Sequence, residues 1–498
     1  MKNFYKKLVL CVVVAAVGTT SLVGCGKKPT TQTAPGAEKA VPQTNLYVPK
    51  FDEDKNLMIF ADCPISPSEI NLKDYIAAGF TYYTMTEDTY PLTNADRKLG
   101  TADDGVINPL YTDVLERCDD LGLKVIIRNC WNDPYYFVNT SDETRHFEPP
   151  FDYVSYNIPI RNITTELTKY KAVAGYYLTD EPSWNRIEDH TPQVEWYNKY
   201  GGNTLFHLNL LQSYGSFMFE GHSFEEYVDH YCDVILKNVN GPKTLSTDYY
   251  PLEQTGDTKE PYIKDGFLSD YIILAEKVKE MNEQVTDEND KVRLNLYIQA
   301  YKSNDKRELS SVADVRFLVN SAMTFGAKSL NYYLYTGLFN GDGLVDKSNK
   351  KNPLYYWSQQ ANDEVHNLAD AILNFDWVGT KVYTGQQLPD ETNALAFEKI
   401  AEKTASSFEF ISDITCRLDT VVSEMKDKDD NKAYIVLNYS EPSLGLTDMV
   451  NVYFDKQVNK AVIYINGERT VVNVKENAMQ LKLGPGEAAF VYPVYDAE

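Results

Sequence analysis

The sequence predicts an α/β chain in which a (β/α)8 TIM barrel is followed by a C-terminal antiparallel β-sandwich. Between residues 57 and 337, eight short apolar runs alternate with amphipathic helical segments. The runs are apolar throughout, as is typical of parallel strands that are covered on both faces. After about residue 376, helical periodicity gives way to short strands separated by turn signals such as "NGE" and "GPGE". This change of pattern predicts the sandwich.

The N-terminal segment has the pattern of a targeting signal. Three lysines, at positions 2, 6 and 7, precede the apolar run "LVLCVVVAAVG", and "LVGC" follows at 22–25. The run is shorter than the roughly 20 residues that a membrane-spanning helix needs. "LVGC" resembles the lipobox of bacterial lipoproteins, which implies that the chain is cleaved before Cys25 and lipidated on its thiol. Residues 1–24 are then a signal peptide, and 25–56 a lipidated Cys and flexible tether that hold the protein on the outer side of the bacterial cell membrane.

The predicted barrel strands follow in order along the chain. They are "NLMIFADCP", "FTYYTMTED", "LKVIIRNCW", "VAGYYLTDEP", "TLFHLNLLQ", "TLSTDYYPL", "RLNLYIQAYK" and "KSLNYYLYTG". Helical segments are predicted at 70–78, 107–121, 158–170, 193–200, 224–238, 269–285 and 309–325, the fourth having the weakest pattern. Gly79, Gly122 and Gly326 each stand between a helix and a strand, where a left-handed residue ends the helix. The predicted domains are therefore a barrel over 57–375 and a sandwich over 376–498.

A doubly wound open sheet is the alternative to the barrel. Such a sheet usually carries a glycine-rich phosphate loop after an early strand, and this sequence has none. The net charge of −24 argues against a nucleic-acid partner. Neither a CxxC pair nor a His–Cys spacing fits zinc, and the loop "NGDGLVD" at 340–346 lacks acids at the first and twelfth positions of a calcium loop. The sequence predicts no metal site and no cofactor.

Function in a (β/α)8 barrel lies where the strands end. The polar residues at the predicted strand ends are Asp62, Glu87, Arg128, Asn129, Asp180, Glu181, Asn209, Asp248, Tyr249, Gln299, Tyr333 and Tyr335. Carboxylates that are crowded in a cleft raise one another's pKa, so that some stay protonated near neutral pH. Glycoside hydrolysis needs such a pair, one protonated acid and one carboxylate.

Two of these acids are predicted to be catalytic, Glu181 as general acid and Asp248 as nucleophile or base. Glu181 shares a strand face with the small residues Gly175 and Thr179, which suit a crowded barrel interior, so it should point into the mouth. Asp180 is expected to brace the loop or a neighbouring strand. The other strand-end residues are predicted to contact substrate. Tyr249, Tyr250, Tyr333 and Tyr335 are predicted to be sugar-stacking surfaces, and Gln299 to make a hydrogen bond to a sugar hydroxyl.

The stretch "GYYLTDEPS" resembles the acid/base strand of the large retaining clan of (β/α)8 glycoside hydrolases. With "DYYP" and "NPLYYWSQQANDEVHNLADAIL", the resemblance extends to poorly characterised glycosidase-like barrel proteins of gut and environmental bacteria and covers most of 57–375. It implies a carbohydrate substrate. The chain departs from the clan at Asp180, where the clan has Asn, and near Gln299, where the clan has a nucleophilic Glu. The second departure favours the wider carboxyl spacing of an inverting enzyme.

The first functional hypothesis is a cell-surface glycoside hydrolase acting on an oligo- or polysaccharide. The alternative is a non-catalytic glycan-binding lipoprotein built on the same barrel, in which the acids bind without cutting. A solute-binding lipoprotein of a transporter ranks last, because it would need two α/β lobes and no terminal β-sandwich.

Overall fold

The computed structural model describes residues 57–86, 107–128, 167, 169–302, 306–337, 343–385, 407–455 and 458–495. The predicted signal peptide, Cys25 and the tether lie outside the described residues, as do Glu87, Asn129 and nearly all of the predicted helix at 158–170. The predictions made for them stay predictions.

Ten strands are described in the first part of the chain. They are β1 (Met58–Ala61), β2 (Tyr82–Thr86), β3 (Lys124–Arg128), β4 (Val173–Asp180), β5 (Leu205–Asn209), β6 (Lys243–Thr247), β7 (Leu252–Gln254), β8 (Pro261–Ile263), β9 (Val292–Gln299) and β10 (Ser329–Tyr333). Eight of them form one parallel sheet in the order β1-β10-β9-β6-β5-β4-β3-β2, while β7 and β8 form a separate antiparallel hairpin. The amide of Thr81, just before β2, donates to the carbonyl oxygen of Ile59 at 2.9 Å and brings the two edge strands together. The predicted eight-stranded barrel is confirmed.

Helices cover the outside of this sheet. They are α1 (Glu69–Ala77), α2 (Pro109–Leu121), α3 (Thr191–Tyr200), α4 (Phe224–Val234), α5 (Phe267–Asn282), α6 (Val312–Thr324), α7 (Pro353–His366) and α8 (Ala369–Asn374). Gly79, Gly122 and Gly326 have φ values of 83°, 70° and 80° just after α1, α2 and α6. This left-handed conformation ends each helix as predicted, because a glycine adopts it without steric cost.

The C-terminal part consists of two antiparallel sheets. Its strands are β11 (Asp376–Tyr383), β12 (Ile411–Thr415), β13 (Thr420–Lys426), β14 (Lys432–Asn438), β15 (Asp448–Phe454), β16 (Val458–Ile465), β17 (Glu468–Asn473), β18 (Ala478–Leu483) and β19 (Ala488–Tyr495). A six-stranded sheet, β11-β13-β14-β19-β16-β17, faces a three-stranded sheet, β12-β15-β18. Buried residues such as Val436 and Leu481 form the core between them. The predicted β-sandwich is confirmed.

The other face of the six-stranded sheet packs on the barrel helices. Phe317 of α6 contacts Tyr439 with ring centroids 5.7 Å apart, and both belong to one continuous core with the barrel. Beside them, the buried Arg307 forms ion pairs with Asp314 of α6, at 2.6 Å, and with Glu441, which follows β14. The division into two domains at 375/376 stays a prediction.

Within the described residues, no helix combines the length and the hydropathy needed to cross a membrane.

Candidate functional site

The end of β4 brings Asp180 and Glu181 into the barrel mouth together. Tyr177 packs in the barrel interior with Phe60 and Leu205, as its strand parity predicts. The pairing of β4 with β5 then shifts register between Tyr177 and Asp180, which breaks the alternation of faces. Glu181 has a φ of +50°, and its amide donates to the carbonyl oxygen of Asn209 at 2.9 Å. Parity predicts that Glu181 alone turns inward, but this irregular turn brings both carboxylates to one place.

Asp180 belongs to an ionic network centred on Arg128. The Arg128 guanidinium forms ion pairs with Asp180, at 2.7 Å, and with the buried Asp62, at 3.3 Å. It also lies 4.5 Å from the ring centroid of Tyr177. The Tyr177 hydroxyl donates to Asp180 at 2.8 Å and lies 3.0 Å from the hydroxyl of Tyr297, which donates to Asp62 at 3.1 Å. Asp180 therefore braces neighbouring strands, while its side chain remains 41% exposed at the mouth.

Asp62 lies at the bottom of this network. Burial raises the pKa of its carboxyl, whereas the charge of Arg128 opposes that rise. Asp180, the other acid paired with Arg128, raises the pKa of Asp62 by a smaller amount. Asp62 is therefore a fixed internal partner of Arg128, and with 2% exposure it has little surface for direct contact with a substrate.

Asn209 links Asp180 to the second predicted catalytic acid. Its amide nitrogen donates to Asp180 and to Asp248, each at 3.2 Å, while its oxygen accepts a hydrogen bond from Ser246 at 2.9 Å. Because the Ser246 contact fixes which way the amide points, both acids face the donating side. Asn209 is itself 1% exposed, so it positions the acids and does not line the open cleft.

Glu181 and Asp248 lie close enough for each carboxyl group to shift the pKa of the other. Burial and the charge of Asp180 raise the pKa of Glu181 to about 7, and the neighbouring carboxyl of Asp248 opposes part of that rise. Burial also raises the pKa of Asp248 well above its usual range, and the charges of Glu181 and Asp180 raise it further. One proton is therefore held between the two groups near neutral pH, and Asp248 keeps it longer because it is more deeply buried.

The spacing of the pair stays a prediction. The sequence favours the wide separation of an inverting enzyme, about 6.5–9.5 Å. The irregular end of β4 carries Glu181 toward the end of β6, which accounts for the effect of the two carboxyls on each other's pKa.

Of the predicted stacking residues at the site, Tyr250 is 5% exposed, whereas Tyr333 is more accessible. Its half-buried ring is 5.2 Å from that of Tyr301 and 5.7 Å from that of Tyr250, measured between centroids. Burial raises its pKa to about 12, and the charges of Asp62 and Asp248 contribute to the rise. The three tyrosines form an aromatic wall beside the acid pair.

The stacking role predicted for two other tyrosines is wrong. Tyr335 is fully buried against Tyr75 and Phe80, because regular alternation of faces ends with β10. Tyr249 is 1% exposed, and its hydroxyl donates to the carbonyl oxygen of Asp265 at 2.6 Å. Neither ring is available to a sugar.

Gln299 also differs from its predicted role. It is fully buried, and its amide oxygen and nitrogen pair with the backbone NH and carbonyl of Leu252, each at 3.0 Å. It anchors β7 to the barrel, so the predicted hydrogen bond to a sugar hydroxyl is wrong. Sequence reasoning missed Tyr297, which holds Asp62. Its position two residues before Gln299, on the same strand face, was the available signal.

Among the described residues, no group of three or more His, Cys, Asp or Glu side chains could hold a metal ion. The described cysteines are Cys63, Cys118, Cys232 and Cys416, and all but Cys63 are buried.

Comparison by sequence finds no matching family model and no similar curated protein. By structure, the chain is similar to a family 39 glycoside hydrolase from the gut symbiont Bacteroides cellulosilyticus WH2, with a TM-score of 0.50 and 12% identity over 89% of this chain and 82% of that chain. A GH27 β-L-arabinopyranosidase from Geobacillus stearothermophilus gives a TM-score of 0.49 and 12% identity over 89% and 97% of the two chains. A GH30 endoxylanase from Clostridium papyrosolvens C71 gives 0.45 and 10% over 88% and 96%. At such identity, the likeness to the family 39 enzyme bears on the fold alone.

Proposed function

We propose that the chain is a glycoside hydrolase that cuts an oligo- or polysaccharide with the carboxyl pair Glu181 and Asp248. The observation that carries the proposal is the position of this pair at the ends of β4 and β6, where the amide of Asn209 donates to both Asp180 and Asp248. Strand ends at this face are where barrel enzymes place their chemistry. A pair that holds one proton near pH 7 supplies both the acid and the carboxylate that hydrolysis of a glycosidic bond requires.

The depth of the two side chains assigns their roles. Asp248 is 9% exposed and Glu181 lies nearer the surface, so the glycosidic oxygen reaches Glu181 first. Asp248 holds the shared proton in the free protein, but Glu181 is the group that reaches the glycosidic oxygen, so the proton passes from Asp248 to Glu181 and from Glu181 to that oxygen as the bond to the sugar breaks. Asp248 is then left as the carboxylate, placed to stabilise the developing positive charge or to activate water.

The surrounding residues would keep the pair in its protonation state. Asn209 holds Asp248 and Asp180 on one side, and Arg128 neutralises part of the charge of Asp180 and Asp62. Tyr333 offers the apolar ring face on which a sugar can stack. Asp62, Arg128, Asp180 and Asn209 thus act mainly by positioning the acids, which refines the substrate contacts predicted from the sequence.

The proposal includes anchoring by a lipid at Cys25, with the barrel outside the cell. A surface location suits an enzyme whose polymeric substrate is too large to enter the cell. The support is the lipobox-like "LVGC" that directly follows an apolar run.

Release of reducing sugar from a panel of poly- and oligosaccharides tests the activity. We expect the wild-type protein to release reducing ends from at least one glycan, and Glu181→Gln to lose this activity while it stays folded. Glu195→Gln, an exposed substitution on α3, serves as the matched control. If wild type binds a glycan but releases nothing from it, the alternative applies and the barrel is a glycan-binding module.

A further inference from the structure

A continuous chain of buried side-chain hydrogen bonds crosses the barrel interior to the acid pair. Its members are Ser329 of β10, Asn295 of β9, Ser246 of β6 and Asn209 of β5, none more than 1% exposed, and we call these four residues the relay. The Ser329 hydroxyl donates to the amide oxygen of Asn295 at 2.7 Å, and the Asn295 amide nitrogen donates to the Ser246 hydroxyl at 2.9 Å. Ser246 in turn donates to the amide oxygen of Asn209 at 2.9 Å.

The register of the sheet produces this row. Ser329 pairs with Asn295, and Asn295 pairs with Ser246, so the three side chains stand side by side on neighbouring strands. Those strands lie roughly 4.8 Å apart, a gap that an amide and a hydroxyl bridge with one hydrogen bond. Serine and asparagine are unusual in a buried barrel strand, where branched apolar side chains normally fill the interior. A polar row in this layer therefore calls for a reason other than packing.

The number of available protons fixes the direction of each bond in the relay. A serine hydroxyl has one proton, and an asparagine amide donates only through its nitrogen. Because the Asn295 nitrogen donates to Ser246, the hydroxyl proton of Ser246 points to the Asn209 oxygen. The Asn209 nitrogen is then turned toward the acids, where it donates to Asp180 and to Asp248 at 3.2 Å each. Every donor in the row thus points toward the carboxyls.

We propose that Asn295 and Ser329 are positioning residues of the acid pair, which act on it through Ser246 and Asn209. The inference rests on the proposed function where it treats the acids as catalytic. Aligned hydrogen bonds in a buried environment polarise one another, so the donors at the far end strengthen the last one. A stronger and better oriented donor at Asn209 favours the ionised form of the carboxyl that accepts from it.

This arrangement meets a need of the site. Burial raises the pKa of Asp248, and the hydrogen bond from Asn209 acts in the opposite direction. When Asp248 passes its proton to Glu181, the carboxylate that remains accepts from a donor already in place. A neutral amide supplies this stabilisation without a buried cation, which would hold Asp248 ionised and prevent it from carrying the proton in the free protein.

The dependence of stability on pH tests the inference without any turnover. Ser246→Ala cuts the relay in its middle, and Ser329→Ala removes its far end. The matched control is Ser423→Ala, which removes a hydroxyl of equal burial from its hydrogen bond with Thr380 in the sandwich. Urea denaturation at pH 5 and pH 9 measures the loss of unfolding free energy that each variant suffers relative to wild type. A hydrogen bond that only supports the fold costs the same at both pH values, whereas a raised pKa of Asp248 in the folded chain adds a loss as pH rises.

For Ser246→Ala, we expect the ionisation constant of the acid pair to fall about tenfold, so the loss at pH 9 should exceed the loss at pH 5 by about 1.4 kcal/mol. Ser329→Ala should show a change of the same sign, about two- to threefold in the same constant. Ser423→Ala should show a loss that is independent of pH. In an Asp248→Asn background, the part of the loss that depends on pH should vanish for both relay variants.

Equal losses at pH 5 and pH 9 for Ser246→Ala would make the relay a support of the fold and overturn the inference. A pH-dependent loss that persists in the Asp248→Asn background would overturn it as well. If the loss depends on pH for Ser246→Ala but not for Ser329→Ala, the relay ends at Ser246 and the role assigned to Asn295 and Ser329 is wrong. Should Ser246→Ala fail to fold, Ser329→Ala decides alone, because it leaves the other three members in place. Glycoside hydrolysis itself is judged separately, by the release of reducing sugar.

Discussion

Replacement of Glu181 by glutamine should change how stability depends on pH. The substitution keeps the shape of the side chain and removes its titrating group. Burial and the charge of Asp180 raise the pKa of Glu181 from 4.5 to about 7. Below about pH 4, the carboxyl is protonated in the folded and the unfolded chain, so it does not affect stability there. Between pH 4.5 and 7, the unfolded chain ionises and the folded chain does not, so the stability of the wild-type protein falls as pH rises.

The size of this effect follows from the pKa. Each pKa unit corresponds to roughly 1.4 kcal/mol, so the wild-type protein should lose about 3 kcal/mol relative to Glu181→Gln between pH 4 and pH 8. Urea denaturation followed by fluorescence at a series of pH values measures the difference in unfolding free energy. Glu195→Gln, which is exposed on α3, should show no such trend. A difference between wild type and Glu181→Gln that stays flat from pH 4 to pH 8 would refute the claim that Glu181 is buried against other acids.

Three further predictions concern the charge network, the packing of the sandwich and the anchor. Asp180→Asn should lower the pKa of Glu181, because it removes a negative charge, and should move the alkaline limb of the pH–rate profile to lower pH; an unmoved limb would count against the assigned network. Glu441→Gln removes one partner of the buried Arg307 and should reduce the free energy of unfolding by about 2 kcal/mol, whereas an unchanged value would show that the ion pair is dispensable. Cys25→Ala should leave the protein without lipid and outside the membrane fraction, and an unmodified Cys25 in wild-type membranes, found by intact mass, would exclude the anchor.

The sequence was sufficient for the architecture because parallel strands have a strong signature. Apolar runs such as the one ending in "LTDEP" are buried on both faces, and glycines after the helices locate the joints. In a barrel, the carboxyl ends of all the strands lie on one face. That rule alone predicts that Asp62, Asp180 and Asp248 lie close together, without any knowledge of side-chain contacts.

The sequence was not sufficient where the backbone departs from a regular strand. The register shift near the end of β4 overrides the alternation of faces that separates Asp180 from Glu181, and nothing in the residue types announces it. Tyr335 lies just beyond β10, where parity no longer applies, and so it turns into the core.

Other failures came from competition for polar groups. Gln299 has the right position for a substrate contact, but the hairpin that follows β6 occupies its amide. Asn295 and Ser329 lie inside predicted strands and not at their ends. Only the register of the folded sheet brings them into one row with Ser246.

The turnover of Asp248→Asn tests the central claim, that two carboxyls at the mouth of the barrel act as one catalytic pair. The asparagine keeps the size of the side chain and can still accept the hydrogen bond from Asn209, so the fold should be retained. Release of reducing sugar per folded molecule, measured on a glycan that the wild-type protein cuts, should fall by about a thousandfold, within the range of acid–base contributions. Turnover within about tenfold of wild type would contradict the pairing and would require another acid to act with Glu181.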